Sequence, residues 1–474
     1  MNNPSAIKEN KVLSILKTFT RKDLRLFGRF IRSPYFNWHP EVATFYSLIM
    51  EDYPAFSSPQ LEKRNIFKKL YPGRRFDDKT VRYQYTDLAR LLEKYLVSQQ
   101  IETNSSAFTQ HLLEAHRQRN NISQFRRLFL ERASSTELPP GDSGMHYHRF
   151  AASESYLNFL RPTESRKKES NIGQVMKSLD IFYISKKLEL SCEMENAKSL
   201  LDKTFEPYLL GEITRSLEEH PYSQEAAVGV YLDILKIRRE PEDETTFERF
   251  LKRLKDDEHS YTKPYLRELY QYALNFCIKK INSGRPDYHL KIFDIYKIIL
   301  ANGVLMQNGT LSQWDYKNIV TVSLRLKNFQ WAKSFIHEFK NRMPEAEMEN
   351  AFNYNMANYY FRKNEFAPAL KLLKDVEFSD PVYQLDSRAM LLKIYAEQDD
   401  LDALYYHFKA FRTFLERNTL VSKFHKTLYG NLIRYTKKMV EARGNKKATQ
   451  ALRLQLEDVT QVADLQWLIS QLSL

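Results

Sequence analysis

The chain of 474 residues carries 72 lysines and arginines against 59 aspartates and glutamates, a formal net charge of +13, and is 43% hydrophobic; at this length one compact core no longer suffices, so several domains or an extended array are expected. Only 12 residues are glycine, which argues against barrels and sandwiches built on tight hairpins and against nucleotide folds built on glycine-rich phosphate loops. The two cysteines, Cys192 and Cys277, form no CxxC, so neither a disulfide framework nor a zinc knuckle is expected, and no run approaches the roughly 18 apolar residues of a membrane span.

Helices joined by short polar loops remain. Lys8, Glu9, Lys11 and Lys17 interrupt the first twenty residues, so no secretory signal is read and a cytoplasmic location is expected. Thr20 is placed to cap a helix whose apolar residues Leu24, Phe27, Phe30 and Ile31 share one face, and Pro34 follows its end. Pro40 opens the next helix. Ser58 and Pro59 form a cap and first-turn pair ahead of Leu61, Ile66, Phe67 and Leu70, with Pro72 and Gly73 closing that helix. Asp77 or Asp78 starts a longer one, with Val81, Tyr85, Leu88, Leu92 and Tyr95 as its buried stripe. A further helical pair spans about residues 105 to 135. The segment Ser134 to Met145 carries Pro139, Pro140 and Gly141 and reads as a loop, with a second, weaker break at Arg161 to Gly173. The expected layout is a basic helical domain over 1–135, a loop over 136–145, degenerate helix pairs over 146–310, and regular pairs with basic terminal helices over 311–474.

From residue 318 the spacing becomes regular. Ala332, Ala369 and Ala403 stand 37 and 34 residues apart; Phe329 and Phe366 each precede their alanine by three, and Pro344 and Pro381 each follow by twelve. A small residue lets paired helices approach, an aromatic fills the wedge beside it, and proline stops the second helix. Asp400 and Leu415 break the pattern around Ala403. The 30 phenylalanines, 29 tyrosines and 4 tryptophans suit such a stack, in which each pair must bury a face on each neighbour.

The stretch NMANYYFRKNEFAPALKLLKDVEFSDP, Asn355 to Pro381, resembles the tetratricopeptide family, with Met356, Ala357, Tyr360, Ala369, Leu373, Val376 and Pro381 at the signature positions. Pro264 to Gly303 resembles a degenerate relative. RSPYFN (Arg32 to Asn37) and YPGRRFDD (Tyr71 to Asp78) also resemble a family of helical Bacteroidota proteins of unassigned function. The first resemblance implies an all-α fold, an α-solenoid of stacked antiparallel helix pairs behind a helical N-terminal domain, and a groove lined by the first helix of each pair. Matching the repeats places Lys317, Arg325, Asn358, Arg362 and Arg388 on or near that groove, where they would clasp an acidic protein or peptide partner.

The positive charge is concentrated at the ends. Residues 1–100 carry +8, residues 101–400 carry −1 and residues 401–474 carry +6. A nucleic-acid partner is therefore the alternative reading, through Arg74 and Arg75 in a loop between helices and Lys423, Lys426, Arg434, Lys437 and Lys438 near the C-terminus. Catalysis is not expected, because there is no GxxxxGK[ST], GxGxxG or HExxH. His146 and His148, about 200° apart on a helix, do not suit one metal. The Gly141-Asp142-Ser143-Gly144 fragment reads as a turn, since nothing around it would bring a histidine and an aspartate to the serine. No cofactor is implied. The expected function is that of a non-catalytic scaffold binding a protein or peptide partner.

Overall fold

Capping chemistry sets the first elements of the computed structural model, which describes residues 10–103, 105–133, 141–160, 172–197, 207–307, 309–374 and 380–472. Helix α1 (Lys11–Lys17) begins at Asn10, whose side chain accepts from the Val12 amide. Helix α2 (Arg21–Phe30) opens on a reciprocal box: Thr20 accepts from the Asp23 amide, and the Asp23 carboxylate accepts from the Thr20 amide. Helix α3 (Pro40–Met50) starts at its proline as expected. The helix expected to run on from Pro59 divides instead. Pro59–Leu61 is a single 3₁₀ turn, Glu62 is extended, and α4 runs over Lys63–Leu70. Leu61 and Ile66 lie 140° apart on an uninterrupted helix, so breaking it at Glu62 lets both reach the core, where both are buried. Helix α5 (Asp78–Thr103) then covers this core with Val81, Leu88, Leu92 and Tyr95.

Helices α6 (Ser105–Gln118), α7 (Ile122–Ala133), α8 (Ser143–Leu160), α9 (Ile172–Ala197), α10 (Leu210–Ser216) and α11 (Ala226–Arg239) follow. Residues 136–140 of the expected loop, and 161–171 of the weaker break, lie outside the described residues. The chain forms two compact units. One comprises residues 1–190 with 205–228, and the other residues 191–204 with 229–474.

The second unit is a succession of helix pairs. After α11 come α12 (Glu244–Asp256), α13 (Lys263–Asn282), α14 (Tyr288–Ala301), α15 (Gln313–Arg325), α16 (Phe329–Phe339), α17 (Glu345–Arg362), α18 (Phe366–Lys374), α19 (Pro381–Glu397), α20 (Leu401–Arg417), α21 (Lys423–Glu441), α22 (Lys446–Glu457) and α23 (Leu465–Gln471). Each of α15, α17 and α19 packs on its own partner helix and also on the first helix of the next pair. The arrangement is therefore stacked, all-helical and free of strands among the described residues, with one isolated bridge between Gln307 and Thr310.

Three of the pairs share one turn. Lys327, Asn364 and Asp399 take positive φ values of 58°, 60° and 57°, and the amide after each donates to the carbonyl five residues back, as from Asn328 to Ser323 and from Glu365 to Tyr360. This left-handed stop satisfies carbonyls at the helix end and reverses the chain. Phe329, Phe366 and Leu401 then open the second helices. Ala332 and Ala369 are fully buried, five residues after their left-handed residue, but the same step from Asp399 reaches Leu404, not Ala403. Asp400 is the cap of α20, the place that Asn328 holds before α16, and it accepts from the Ala403 amide, so Leu401 and not Asp400 stands where the aromatic stands in the other pairs. Pro344 and Pro381 stand at the starts of α17 and α19, where a missing N–H costs nothing. Val376 lies outside the described residues.

Candidate functional site

The first helices of the pairs carry a polar ladder within the second unit. On α15, the Lys317 side chain is only 12% exposed and ion-pairs with Asp386 of α19. Its ammonium also lies 4.6 Å from the centre of the Tyr383 ring and within 6 Å of Trp314 and Tyr354. Tyr429 of α21 donates to the other Asp386 oxygen at 2.6 Å, and Tyr383 donates to the Gln313 carbonyl at 2.6 Å. Burial raises the pKa of Tyr354, Tyr383 and Tyr429, which keeps the phenols protonated as donors. The lysine expected in the groove is thus already neutralised from within.

A second cluster lies toward the other ends of these helices. Arg325 ends α15, Arg362 ends α17, and both are exposed. Arg325 lies 3.1 Å from His289 Nε2, while His289 Nδ1 lies 2.8 Å from the Pro286 carbonyl. Arg362 has no hydrogen bond or ion pair among the described residues. Its pKa is lowered by the surrounding protein and then by Arg325, with Asp464 acting the other way. Lys393 of α19 is buried and ion-pairs with the Asp464 carboxylate. Burial pushes Asp464 up, but Lys393, Arg325 and Arg362 together hold its pKa below the usual 3.8. Three cations from three successive first helices therefore act on a single carboxylate.

Asp464 reaches them from the connection before α23. Its φ is +51°, a conformation that aspartate tolerates better than most residues. Asn431 donates to the Gln461 carbonyl at 2.8 Å, the Ala463 amide to Leu428 at 3.2 Å, and Trp467 Nε1 to Glu397 at 2.7 Å, so α21 and α19 both hold this segment. A depressed carboxylate pKa contributes stability that is present above the ordinary aspartate value and lost as pH falls through the depressed one. Asp464→Asn is therefore expected to cost about 1 kcal/mol at pH 7 and to flatten the acid side of the stability profile, as thermal melts between pH 3 and pH 7 will show.

The other expected groove residues fall elsewhere. Asn358 is buried within α17. Arg388 belongs to the α19–α20 contact, where its carbonyl lies 2.8 Å from His407 Nε2 and its guanidinium 4.5 Å from the centre of the Phe414 ring. Lys393, Asp386 and Asp464 escaped the sequence reading, because nothing in their spacing marks them.

The residues proposed for nucleic acid belong to both units. Arg74 and Arg75 are exposed between α4 and α5 in the first unit, with Arg74 5.6 Å from the centre of the Tyr71 ring. On α21, Arg434 and Lys438 both lie over Tyr435, Lys438 also donates to Gln455, and Lys437 approaches Glu441 at 3.8 Å. Lys423 is exposed and Lys426 half-buried in the first turn of that helix.

The two motif-like fragments have structural uses. Asp142 accepts from the Gly144 amide at 2.7 Å where α8 begins, and buried Ser143 donates to Glu189 of α9 at 2.8 Å. His148 Nδ1 is 3.4 Å from Gln110. No group of three or more metal-ligating side chains occurs among the described residues, and no helix there is long and apolar enough to cross a membrane. No protein-family model, curated protein or solved structure matches the chain.

Proposed function

We propose that this chain is a non-catalytic scaffold of tetratricopeptide type that binds an acidic segment of a protein partner on the first helices of its second unit. The observation that carries this reading is the cluster of Arg325, Arg362 and Lys393 around Asp464. It accommodates a carboxylate presented by a peptide connection, and it retains an excess of two positive charges. Both arginines are exposed and neither has a carboxylate in a direct ion pair, so their guanidinium forks are open to bidentate contact with a second carboxylate.

A fluorescein-labelled glutamate-rich peptide, titrated with the whole chain at low salt, tests this by anisotropy. The double variant Arg325→Glu and Arg362→Glu is expected to weaken binding at least about tenfold, equivalent to ~1.4 kcal/mol. Unchanged affinity in the double variant overturns the reading. So does an oligonucleotide of equal charge that competes fully, since that would make the attraction one of charge alone.

A further inference from the structure

One face of α20 forms a separate basic cleft. Tyr406, Lys409, Thr413, Phe414 and Arg417 follow helical spacing along it, and with Arg388 of α19 they line a cavity of about 740 Å³. Arg388, Thr413 and Phe414 are half-buried and form its floor, while Lys409 and Arg417 are exposed at its sides. No acidic residue is among the lining residues. None of the three cations makes an ion pair among the described residues, and buried Arg388 Nε has no hydrogen-bond partner.

Three lysines drawn into the unit are handled differently: Lys280 meets Glu242, Lys317 meets Asp386, and Lys393 meets Asp464, so each of these is provided with a carboxylate. Arg388 is instead placed against an aromatic ring, and burial lowers its pKa. An unpaired, partly desolvated guanidinium is costly unless an anion from outside completes it.

We infer that this cleft binds a phosphorylated small molecule, with its phosphates between Arg388, Lys409 and Arg417 and an aromatic group resting on Tyr406. Lys409 and Arg417 are eight residues apart, about 12 Å along the helix at 1.5 Å per residue, which suits a diphosphate better than one carboxylate. Arginine supplies a planar fork for phosphate oxygens and lysine a mobile point charge. Tyr406 is 79% exposed, one turn before Lys409 on the same face, and offers a free ring for stacking. Pyrophosphate and a nucleoside diphosphate share the anionic part of this chemistry, and only the second carries a base for the ring.

Calorimetric titration of the whole chain with pyrophosphate and with ADP at low salt tests the inference. Both are expected to bind, and Lys409→Ala with Arg417→Ala, two exposed positions, to weaken both at least tenfold. Tyr406→Ala is expected to weaken ADP severalfold and leave pyrophosphate unchanged. Arg388→Lys keeps the charge but loses the fork, and is expected to weaken both with the circular dichroism spectrum preserved. Absence of heat with either ligand, or binding indifferent to the Lys409 and Arg417 substitutions, overturns the site. Equal affinity for the two ligands overturns the aromatic seat on Tyr406 and supports the phosphate site. The Arg325 and Arg362 double variant is expected to bind ADP normally, which separates this site from the acidic-segment cluster.

Discussion

Asp386→Ala is expected to destabilise the second unit by about 3 kcal/mol, toward the low end for breaking a buried ion pair because the site is partly open. The carboxylate joins three first helices, accepting from Lys317 of α15 and from Tyr429 of α21 while standing on α19. Its loss leaves the Lys317 ammonium almost enclosed among Trp314, Tyr354 and Tyr383, with the attraction of the rings and no counter-charge. At roughly 2–4 °C per kcal/mol for a unit of this size, the melting temperature should fall by roughly 6–12 °C. Tyr429→Phe deletes one donor only and is expected to cost about 1 kcal/mol. The combination of Lys317→Met with Asp386→Leu removes both charges together and is expected to recover most of the loss. A loss of under 1 kcal/mol in Asp386→Ala, by thermal and urea melts, would show that the aromatic cage alone holds the lysine.

This arrangement shows where the sequence was legible and where it was not. Local signals carried well. Thr20, Pro40, and the stripe Val81, Leu88, Leu92 and Tyr95 are decided by neighbours within a turn or two of helix, and the structure has them as read, with Tyr85 of that stripe half-buried. The repeat spacing also held for Ala332 and Ala369, which are buried at equivalent points. It slipped at Ala403 because the shared feature is a left-handed turn residue, and that position is filled by Lys327, Asn364 and Asp399 in place of the glycine that would have announced it. Likewise, the division at Glu62 follows from two core positions that one helix cannot serve. The candidate site was half legible. Arg325 and Arg362 follow from repeat position, whereas Asp386 and Asp464 lie 69 and 102 residues after the basic residues they face, Lys317 and Arg362. Only the packing of successive first helices, and of the segment before α23 against them, brings such residues together.

In the first unit the largest effect is expected from Phe27→Ala, at about 3–5 kcal/mol. Phe27 is fully buried, and its ring lies 5.1 Å from Tyr46 on α3, 5.4 Å from Tyr95 on α5 and 6.2 Å from Phe19 between α1 and α2. One side chain therefore holds the N-terminal helices to one another, and these edge-on and tilted ring pairs add to the area that it buries. Truncation opens a cavity beside Tyr46, whose hydroxyl donates to the Leu24 carbonyl at 3.0 Å and whose pKa burial pushes up to about 12. The ring cannot move to fill that space without giving up the hydrogen bond, so little relaxation is available and the upper half of the range applies. Phe27→Leu keeps most of the volume and should cost under about 1.5 kcal/mol. Urea unfolding followed by near-ultraviolet circular dichroism separates the two, because loss of the aromatic signal in the alanine variant before any urea is added would place the damage in this cluster of rings.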